Sequence, residues 1–207
     1  MSILPCRVLC LFAIVFCCVG VVHADAVQDT SDMYVKVLWI VDNTPKLKGK
    51  CNNAGKAAKD AAEKADVFAT TIKANIKTLA SNPAEVVQKK KKGREIIKEA
   101  NDAAEKARKE AKETAASVTG TRSIDISALE KERLHYESLT DSTGNIKFPF
   151  MVKEIKAAIQ AVKDAEKAVS TAESHADNAT EAAKRVKDVL RELDAAVAAE
   201  AEKKKGE

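Results

Sequence analysis

The fold is decided by residues 155–197, which read IKAAIQAVKDAEKAVSTAESHADNATEAAKRVKDVLRELDAAV. In this stretch, apolar residues recur at the a and d positions of a heptad repeat. The a positions are Ile155, Val162, Val169, Ala176, Ala183, Leu190 and Val197, and the d positions are Ala158, Ala165, Ala172, Ala179, Val186 and Leu193. Such a stripe predicts a long α-helix that packs against other helices. Over residues 149–204, this helix would be roughly 80 Å long.

Two further stripes of the same period lie towards the N-terminus. The first has Val37, Thr44, Cys51, Ala58, Ala65, Ile72 and Leu79 at a, and Met33, Ile40, Leu47, Ala54, Ala61, Phe68 and Asn75 at d. It predicts a helix over residues 31–80 that is kinked at Pro45. The second has Ile97, Ala104, Ala111 and Val118 at a, and Ala100, Ala107 and Thr114 at d. It predicts a helix over residues 94–118, after a loop over residues 88–93 that contains Gly93.

The pattern changes between residues 119 and 149. Thr119-Gly120-Thr121 breaks the helix, and Ser127 with Glu130 has the spacing of a capping box for a short helix over residues 128–139. A polar loop follows over residues 141–145. We expect the apolar residues after it to cap the end of the core; they are Ile146, Phe148, Phe150 and Met151.

Together these patterns predict an all-α protein. Residues 25–207 would form a single elongated, antiparallel helical bundle of about three long helices. Residues 119–149 would form a small helix–loop head on it. Many positions of its coiled-coil-like core are Ala, which lets helix backbones approach closely but buries little area. Such a bundle gains its stability from its length and from the high helix propensity of Ala.

The composition excludes several other classes of protein. Aromatic residues make up 4% of the 207 residues, with 7 Gly and 4 Pro, and this excludes a β-sandwich or β-barrel. Charged residues make up 32%, yet the net charge is only +4, because basic and acidic residues are interleaved. A nucleic-acid-binding protein would concentrate a larger positive excess on one face, so no nucleic acid partner is expected.

Residues 1–24 have the three parts of a secretory signal peptide. Arg7 supplies the positive charge, residues 8–22 are apolar, and Val22-His23-Ala24 provides a cleavage site. An uncleaved signal anchor is the alternative, although the apolar run is short for a membrane span. Cleavage would remove four cysteines and leave Cys51 as the single thiol of a protein in the secretory pathway.

No motif points to catalysis, to a metal or to a cofactor. His135 and His175 each lack a second metal ligand at helical spacing. The sequence contains no nucleophile elbow, P-loop or dinucleotide-binding motif. Acidic residues are paired with basic ones at helical spacing, as Glu105 is with Lys109. We therefore expect a protein that is not an enzyme and that binds no metal or cofactor.

Three features are candidate sites of other kinds. Asn178-Ala179-Thr180 is an N-glycosylation sequon, and Asn178 falls on the face away from the predicted core. Cys51 is either a small buried core residue or the thiol of an intermolecular disulfide. The basic residues 89–92 and Arg94 form either a solvated loop or a contact for anionic glycans or lipid head groups.

The long helices rich in Ala, Lys and Glu, behind a signal peptide, resemble those of a known group of surface proteins. The segments that carry the resemblance include AGKAAKDAAEKA at residues 54–65 and AAIQAVKDAEKAVSTA at residues 157–172. The chain is similar to the alanine-rich coat proteins of insect-stage African trypanosomes, which comprise the brucei alanine-rich and the glutamic acid/alanine-rich protein groups (BARP and GARP). It is more distantly similar to the helical-bundle surface glycoproteins of trypanosomes.

The resemblance implies a non-enzymatic coat protein that forms a protective layer and an interface with the host or vector. It also implies a glycosylphosphatidylinositol (GPI) anchor on the outer face of the plasma membrane. An anchor signal requires a hydrophobic tail, and the sequence ends at Lys205-Gly206-Glu207 without one. The chain is therefore expected either to be anchored through residues that follow 207 or to be secreted.

In the anchored arrangement the head would face outward, and its loops make it the expected contact surface for a host or vector protein or glycan. The candidate contact residues are Ser138, Asp141, Asn145 and Lys147. A receptor for a host protein on the same scaffold is the main competing interpretation. A lipid-associated protein whose helices form only on demand is another. A homo-oligomer, linked through Cys51 or not, is compatible with each.

Overall fold

The computed structural model describes residues 6–119 and 125–206, with side chains over residues 32–118 and 125–205. The described residues form five α-helices: α1 (Cys6–Ala74), α2 (Ile76–Ala80), α3 (Pro83–Thr119), α4 (Ile126–Ser138) and α5 (Pro149–Gly206). Within these ranges there is no β-structure beyond one bridge between Thr140 and Ile146. The predicted all-α class, with long helices packed against one another, is confirmed.

Ion pairs between α1 and α5 show that these two helices run parallel. Lys48 of α1 pairs with Asp164 of α5 at 2.6 Å. Asp66, further along α1, pairs with Arg185, further along α5, at 2.7 Å. In these pairs, a later residue on α1 contacts a later residue on α5. The two helices therefore run in the same direction.

The helix α3 runs in the opposite direction to both neighbours. Lys90 near its start reaches Asp194 near the end of α5, at 2.7 Å. Thr114 lies near the end of α3, and its hydroxyl oxygen is 3.4 Å from the carbonyl oxygen of Leu47. Leu47 lies in the N-terminal half of the part of α1 whose side chains are described. The predicted antiparallel packing therefore holds for α3 against α1 and α5, whereas α1 and α5 are parallel.

The predicted stripes are the buried faces of the three long helices. On α1, every a position from Val37 to Ile72 is buried. On α5, every d position from Ala158 to Leu193 is buried. On α3, the buried positions of the stripe are Ala100, Ala104, Ala107, Ala111, Thr114 and Val118. Removal of this apolar surface from water stabilises the bundle by about 25 cal/mol per Å².

The core changes in composition along the bundle. In its middle, which we call the waist, small buried side chains from all three long helices meet: Cys51, Ala54, Ala58, Ala61, Ala65, Ala100, Ala104, Ala107, Ala111, Ala165, Ala168, Ala172, Ala176, Ala179 and Ala183. At the turn end, beside α2, the core side chains are large: Phe68, Ile72, Leu79, Ile96, Val186, Leu190 and Leu193. At the head end, beside α4, they are Val37, Ile40, Leu129, Ile155, Ile159 and Val162.

Two helical glycines lie where neighbouring helices approach closely. A Cβ atom on Gly55, in the waist, would lie 3.0 Å from the Cα atom of Ala172. A Cβ atom on Gly93 would lie 2.8 Å from Leu190 Cδ1 and 3.0 Å from Phe68 Cε1. The predicted loop over residues 88–93 is therefore wrong: α3 continues through it, because Gly93 provides room for packing.

Two predicted helix boundaries are corrected. The helix predicted over residues 31–80 is two helices, since α1 ends at Ala74 and a turn at Asn75 precedes α2. The start of α4 is capped by Asp125, whose carboxylate accepts a hydrogen bond from the Ser127 amide at 3.3 Å. The predicted capping role of Ser127 is therefore wrong, because Asp125 stands before it and already occupies the cap position.

Three of the four apolar residues that were expected to cap the core are exposed, and the fourth, Met151, is partly buried. Phe148 is 46% exposed, Phe150 is 56% exposed and Ile146 is 38% exposed. The core at this end is closed by Leu129 of α4, which is fully buried. The expectation is wrong because α4 lies along the side of α5 and supplies the closing side chain itself.

Candidate functional site

The head contains a short helix that packs along α5 and a tight loop that follows it. Glu137 of α4 pairs with Lys156 of α5 at 2.9 Å. Glu130, earlier on α4, pairs with Lys163 at 3.9 Å. These pairs make α4 antiparallel to α5. Residues 120–124, which include part of the predicted Thr119-Gly120-Thr121 break, lie outside the described residues.

Arg133 links two of the three acidic residues of α4. Its guanidinium lies 2.7 Å from a carboxylate oxygen of Glu130 and 2.7 Å from one of Glu137. The hydrogen bond from Lys156, followed by the one from Arg133, lowers the pKa of Glu137. Since ionised Glu137 is the partner that Lys156 needs, its protonation would weaken the attachment of α4 to α5.

The loop between α4 and α5 closes on itself through its backbone. The amide of Lys147 donates a hydrogen bond to the carbonyl of Leu139 at 2.8 Å. The amide of Asp141 donates to the carbonyl of Asn145 at 2.8 Å. Gly144 turns the chain at a φ of 83°, in the region that Gly adopts without steric cost. The loop is therefore a defined turn that holds its residues in place.

Asp141 organises this loop with its side chain. Its Oδ1 atom accepts hydrogen bonds from the Thr143 hydroxyl at 2.6 Å, the Thr143 amide at 2.8 Å and the Asn145 amide at 3.0 Å. The bond from the Thr143 hydroxyl makes the largest contribution to lowering the pKa of Asp141. Because this carboxylate oxygen is already engaged, Asp141 would contribute to recognition chiefly by shaping the loop.

The other predicted contact residues lie within or beside the same loop. The Ser138 hydroxyl donates to the carbonyl of His135 at 2.7 Å. The Asn145 amide group donates to the Thr143 hydroxyl oxygen at 2.8 Å. Lys147 is exposed and forms no ion pair with the residues whose side chains are described. The structure thus brings these residues to one surface, and their contact role stays a prediction.

The surface of the head also carries apolar side chains, among them Phe148, which was expected to cap the core. Tyr136 and Phe148 pack edge to face, with ring centroids 5.9 Å apart. Leu134 on the outer side of α4 is 56% exposed. The concentration of aromatic residues near residue 148, in a chain with few of them, was the signal that could have drawn attention to this surface.

Cys51 lies in the waist and is fully buried. Its Sγ atom is 3.5 Å from the carbonyl oxygen of Ala168, and burial raises the pKa of the thiol. These surroundings favour a small core residue over a reactive thiol. An intermolecular disulfide would require the bundle to open at this level, and it stays a prediction.

Asn178 is exposed on α5, inside an unbroken helix. The hydroxyl of Thr180, the third sequon residue, donates to the carbonyl of Ala176 at 2.9 Å and lies 3.1 Å from a guanidinium nitrogen of Arg108. Glycan attachment at this sequon stays a prediction.

The part of the chain that the structure describes holds no group of three or more His, Cys, Asp or Glu side chains that could bind a metal ion. The two histidines of interest have structural neighbours instead. His175 Nδ1 lies 3.1 Å from the carbonyl oxygen of Gly55 and so joins α5 to α1. The His135 ring packs edge to face on Tyr136, with centroids 5.5 Å apart.

The whole of the predicted signal peptide lies outside the residues whose side chains are described. Residues 1–5 are outside the described residues, and α1 begins at Cys6. Among the helices that are described, none is long and apolar enough to cross a membrane. The signal peptide over residues 1–24 and its cleavage site stay predictions.

Comparison of the chain with protein-family models, with curated proteins and with solved structures finds no match. The resemblance to trypanosome coat proteins, which was drawn from composition and heptad pattern, therefore stays a prediction.

Proposed function

We propose that this chain is a non-enzymatic surface coat protein, in which a helical rod holds a small head away from the cell. The observation that carries this proposal is the continuity of α5. It begins directly after the head loop, at Pro149, and continues to Gly206 without a break. A helix of 58 residues is about 87 Å long. A lipid anchor attached beyond residue 207 would place the head about that far from the membrane.

The sides of the rod support the same proposal. They carry charges of both signs, many of them paired across helices, such as Arg108 with Asp177 at 2.8 Å. A surface with interspersed charges lets neighbouring copies stand close together without a single-sign repulsion or an apolar patch that would aggregate them. A dense protective layer on the outer face of a parasite plasma membrane requires both properties.

We also propose a finer description of the bundle, in which α1, α3 and α5 pack as a coiled coil with an alanine-rich seam. The support is that most a and d positions of the three stripes are buried, while Asn75 is exposed and five others are partly buried: Met33, Leu47, Ile97, Val169 and Val197. Small residues on the packed faces let the backbones approach, as Gly55, next to the d position Ala54, does against Ala172.

The test of the coat function uses the source cells. Surface proteins of intact cells are biotinylated, and the cells are then treated with phosphatidylinositol-specific phospholipase C. We expect labelled protein to be released in large amounts. Protein found free in the medium before treatment would contradict the anchored coat and identify a secreted factor. Release in small amounts only would contradict a coat, which must be abundant.

A receptor for a host or vector protein is the second candidate function. The observation that favours it is the exposure of Phe148 and Phe150 beside the ordered loop, since exposed aromatic side chains are frequent binding anchors. Replacement of residues 138–147 by a Gly/Ser linker should preserve the helical circular dichroism and abolish binding of a head-directed ligand or antibody. The control is Lys98→Gln, on the exposed side of α3. Unchanged binding by the linker variant would exclude the loop over residues 138–147 from the contact surface.

A further inference from the structure

A groove of about 510 Å³ lies between α1 and α3 near the turn end. Its floor is apolar and consists of Phe68, Ile72 and Ile96, all of which are buried. Val67 forms part of its wall and is 68% exposed. Small-molecule sites in proteins are typically about 300–1,000 Å³ in volume, mostly apolar, and carry a few polar groups that orient the ligand.

The two ends of the groove differ in charge. Asp60 and Glu63 lie at the end nearer the waist. Lys89 and Lys92 lie at the other end, level with Thr71, because α3 is antiparallel to α1. Lys89 and Lys92 are three positions apart on α3, so their side chains lie on the same side of that helix.

The lysines at the turn-side end carry positive charge that the protein compensates only in part. Lys92 forms no ion pair or hydrogen bond with the residues whose side chains are described. Lys89 is 3.9 Å from Glu85, a long and partly exposed pair. By contrast Lys64, also on the rim, is engaged by Glu99. Positive charge above an apolar floor is therefore concentrated at Lys89 and Lys92.

We propose that this groove binds a free fatty acid. The carboxylate lies at Lys89 and Lys92, and the hydrocarbon chain lies along Val67, Phe68 and Ile96. The groove spans α1 from Asp60 to Ile72, which is about 18 Å and accommodates an extended acyl chain. The acidic residues at the far end place the anionic group at the lysine end only. This inference goes beyond the proposed coat function and does not rest on it.

The test uses the full chain and dodecanoate below its critical micelle concentration. Isothermal titration should give saturable binding of one ligand per chain, and the methyl resonances of Val67 and Ile96 should shift. The double variant Lys89→Gln/Lys92→Gln should bind about tenfold more weakly, the effect of losing a charge-assisted hydrogen bond. The matched control Lys91→Gln/Lys98→Gln makes the same charge change on exposed α3 positions outside the groove, and it should bind as the unmodified chain does.

Thr71→Trp provides a second variant, which fills the groove from an exposed position and leaves the core side chains in place. It should abolish binding while its circular dichroism stays unchanged. Absence of saturable binding to the unmodified chain would overturn the proposal. Equal binding by Lys89→Gln/Lys92→Gln, or equal affinity for dodecyltrimethylammonium, would also overturn it, because the lysines would then recognise nothing. Binding to anionic phospholipid vesicles without binding to dodecanoate would overturn it in favour of a membrane surface.

Discussion

The waist and the turn end consist of the same three helices but hold them together by opposite means. In the waist, alanines and Gly55 leave little side-chain volume between the backbones. At the turn end, Ile72, Leu190 and Leu193 fill the space between the helices with large side chains. The waist should therefore tolerate added volume poorly, and the turn end should tolerate lost volume poorly. Neither property depends on overall hydrophobicity, since both regions are buried and apolar.

The largest effect is expected from removing volume at the turn end. Leu193 is fully buried there, so Leu193→Ala leaves a cavity and should lower the free energy of unfolding by about 2–5 kcal/mol. Urea denaturation followed by circular dichroism measures this change. The control is Leu134→Ala, because Leu134 is exposed on the outer side of α4 and should change little. Equal losses for the two variants would mean that the turn end does not act as a packed core.

Adding volume in the waist should have the next largest effect. Ala172 is buried against Gly55, so Ala172→Leu forces the helices apart and should cost about 1–3 kcal/mol of unfolding free energy. Ala157→Leu places the same side chain on an exposed position of the same helix and serves as the control. If Ala172→Leu were neutral or stabilising, the helices could move apart in the waist without cost. The stated difference between the waist and the turn end would then be wrong.

Two glycine replacements test the tight packing of the waist through the sign of a smaller change in unfolding free energy. Nothing lies within 4 Å of a Cβ atom added at Gly49, so Gly49→Ala should raise the unfolding free energy by about 0.5–1 kcal/mol through helix propensity. Gly55→Ala gains the same propensity but meets backbone and side-chain atoms of Ala172, and it should be destabilising. Thermal melts of both variants test this, and a gain for both would show that α1 can move away from α5 at no cost.

The smallest expected effect is a local response of the head to acid. Hydrogen bonds lower the folded-state pKa of Glu137 and of Asp141 below their unfolded values. Their contribution to stability is therefore complete above the unfolded pKa values of about 4, and it is lost as the pH falls through the folded ones. Amide hydrogen exchange, corrected for intrinsic rates, should show α4 and the head loop losing protection as the pH falls below about 4. The waist, which is packed through apolar side chains, should keep its protection, and simultaneous loss in both regions would contradict this difference.

Much of the fold could be predicted from local patterns in the sequence. The heptad positions of Val37, Ala172 and Leu193 identified them as core, because the helical period places such residues on one face whatever they pack against. The polar loop over residues 141–145 was predicted for a similar reason. The Asp141 side chain accepts a backbone hydrogen bond within the loop, and Gly144 turns the chain. Both roles are local to the loop.

Other features could not be predicted because they depend on contacts between distant segments. Gly93 has the appearance of a helix breaker, and only the positions of Phe68 and Leu190 show that it allows packing inside α3. Phe148 and Phe150 are of a residue type that is common in protein cores. The place that they were expected to fill is nevertheless occupied by Leu129 of α4.

The sequence by itself determined that this protein is helical and which face of each long helix is buried. These are consequences of residue spacing and helix propensity within one segment. Only the tertiary structure decided that α1 and α5 run parallel with α3 opposed to them. It also decided that α4 closes the head end and that a lysine-rimmed groove remains between α1 and α3. The physical reason is that each of these properties is set by which helices meet, and the heptad pattern of one helix fits several partners and both directions equally well.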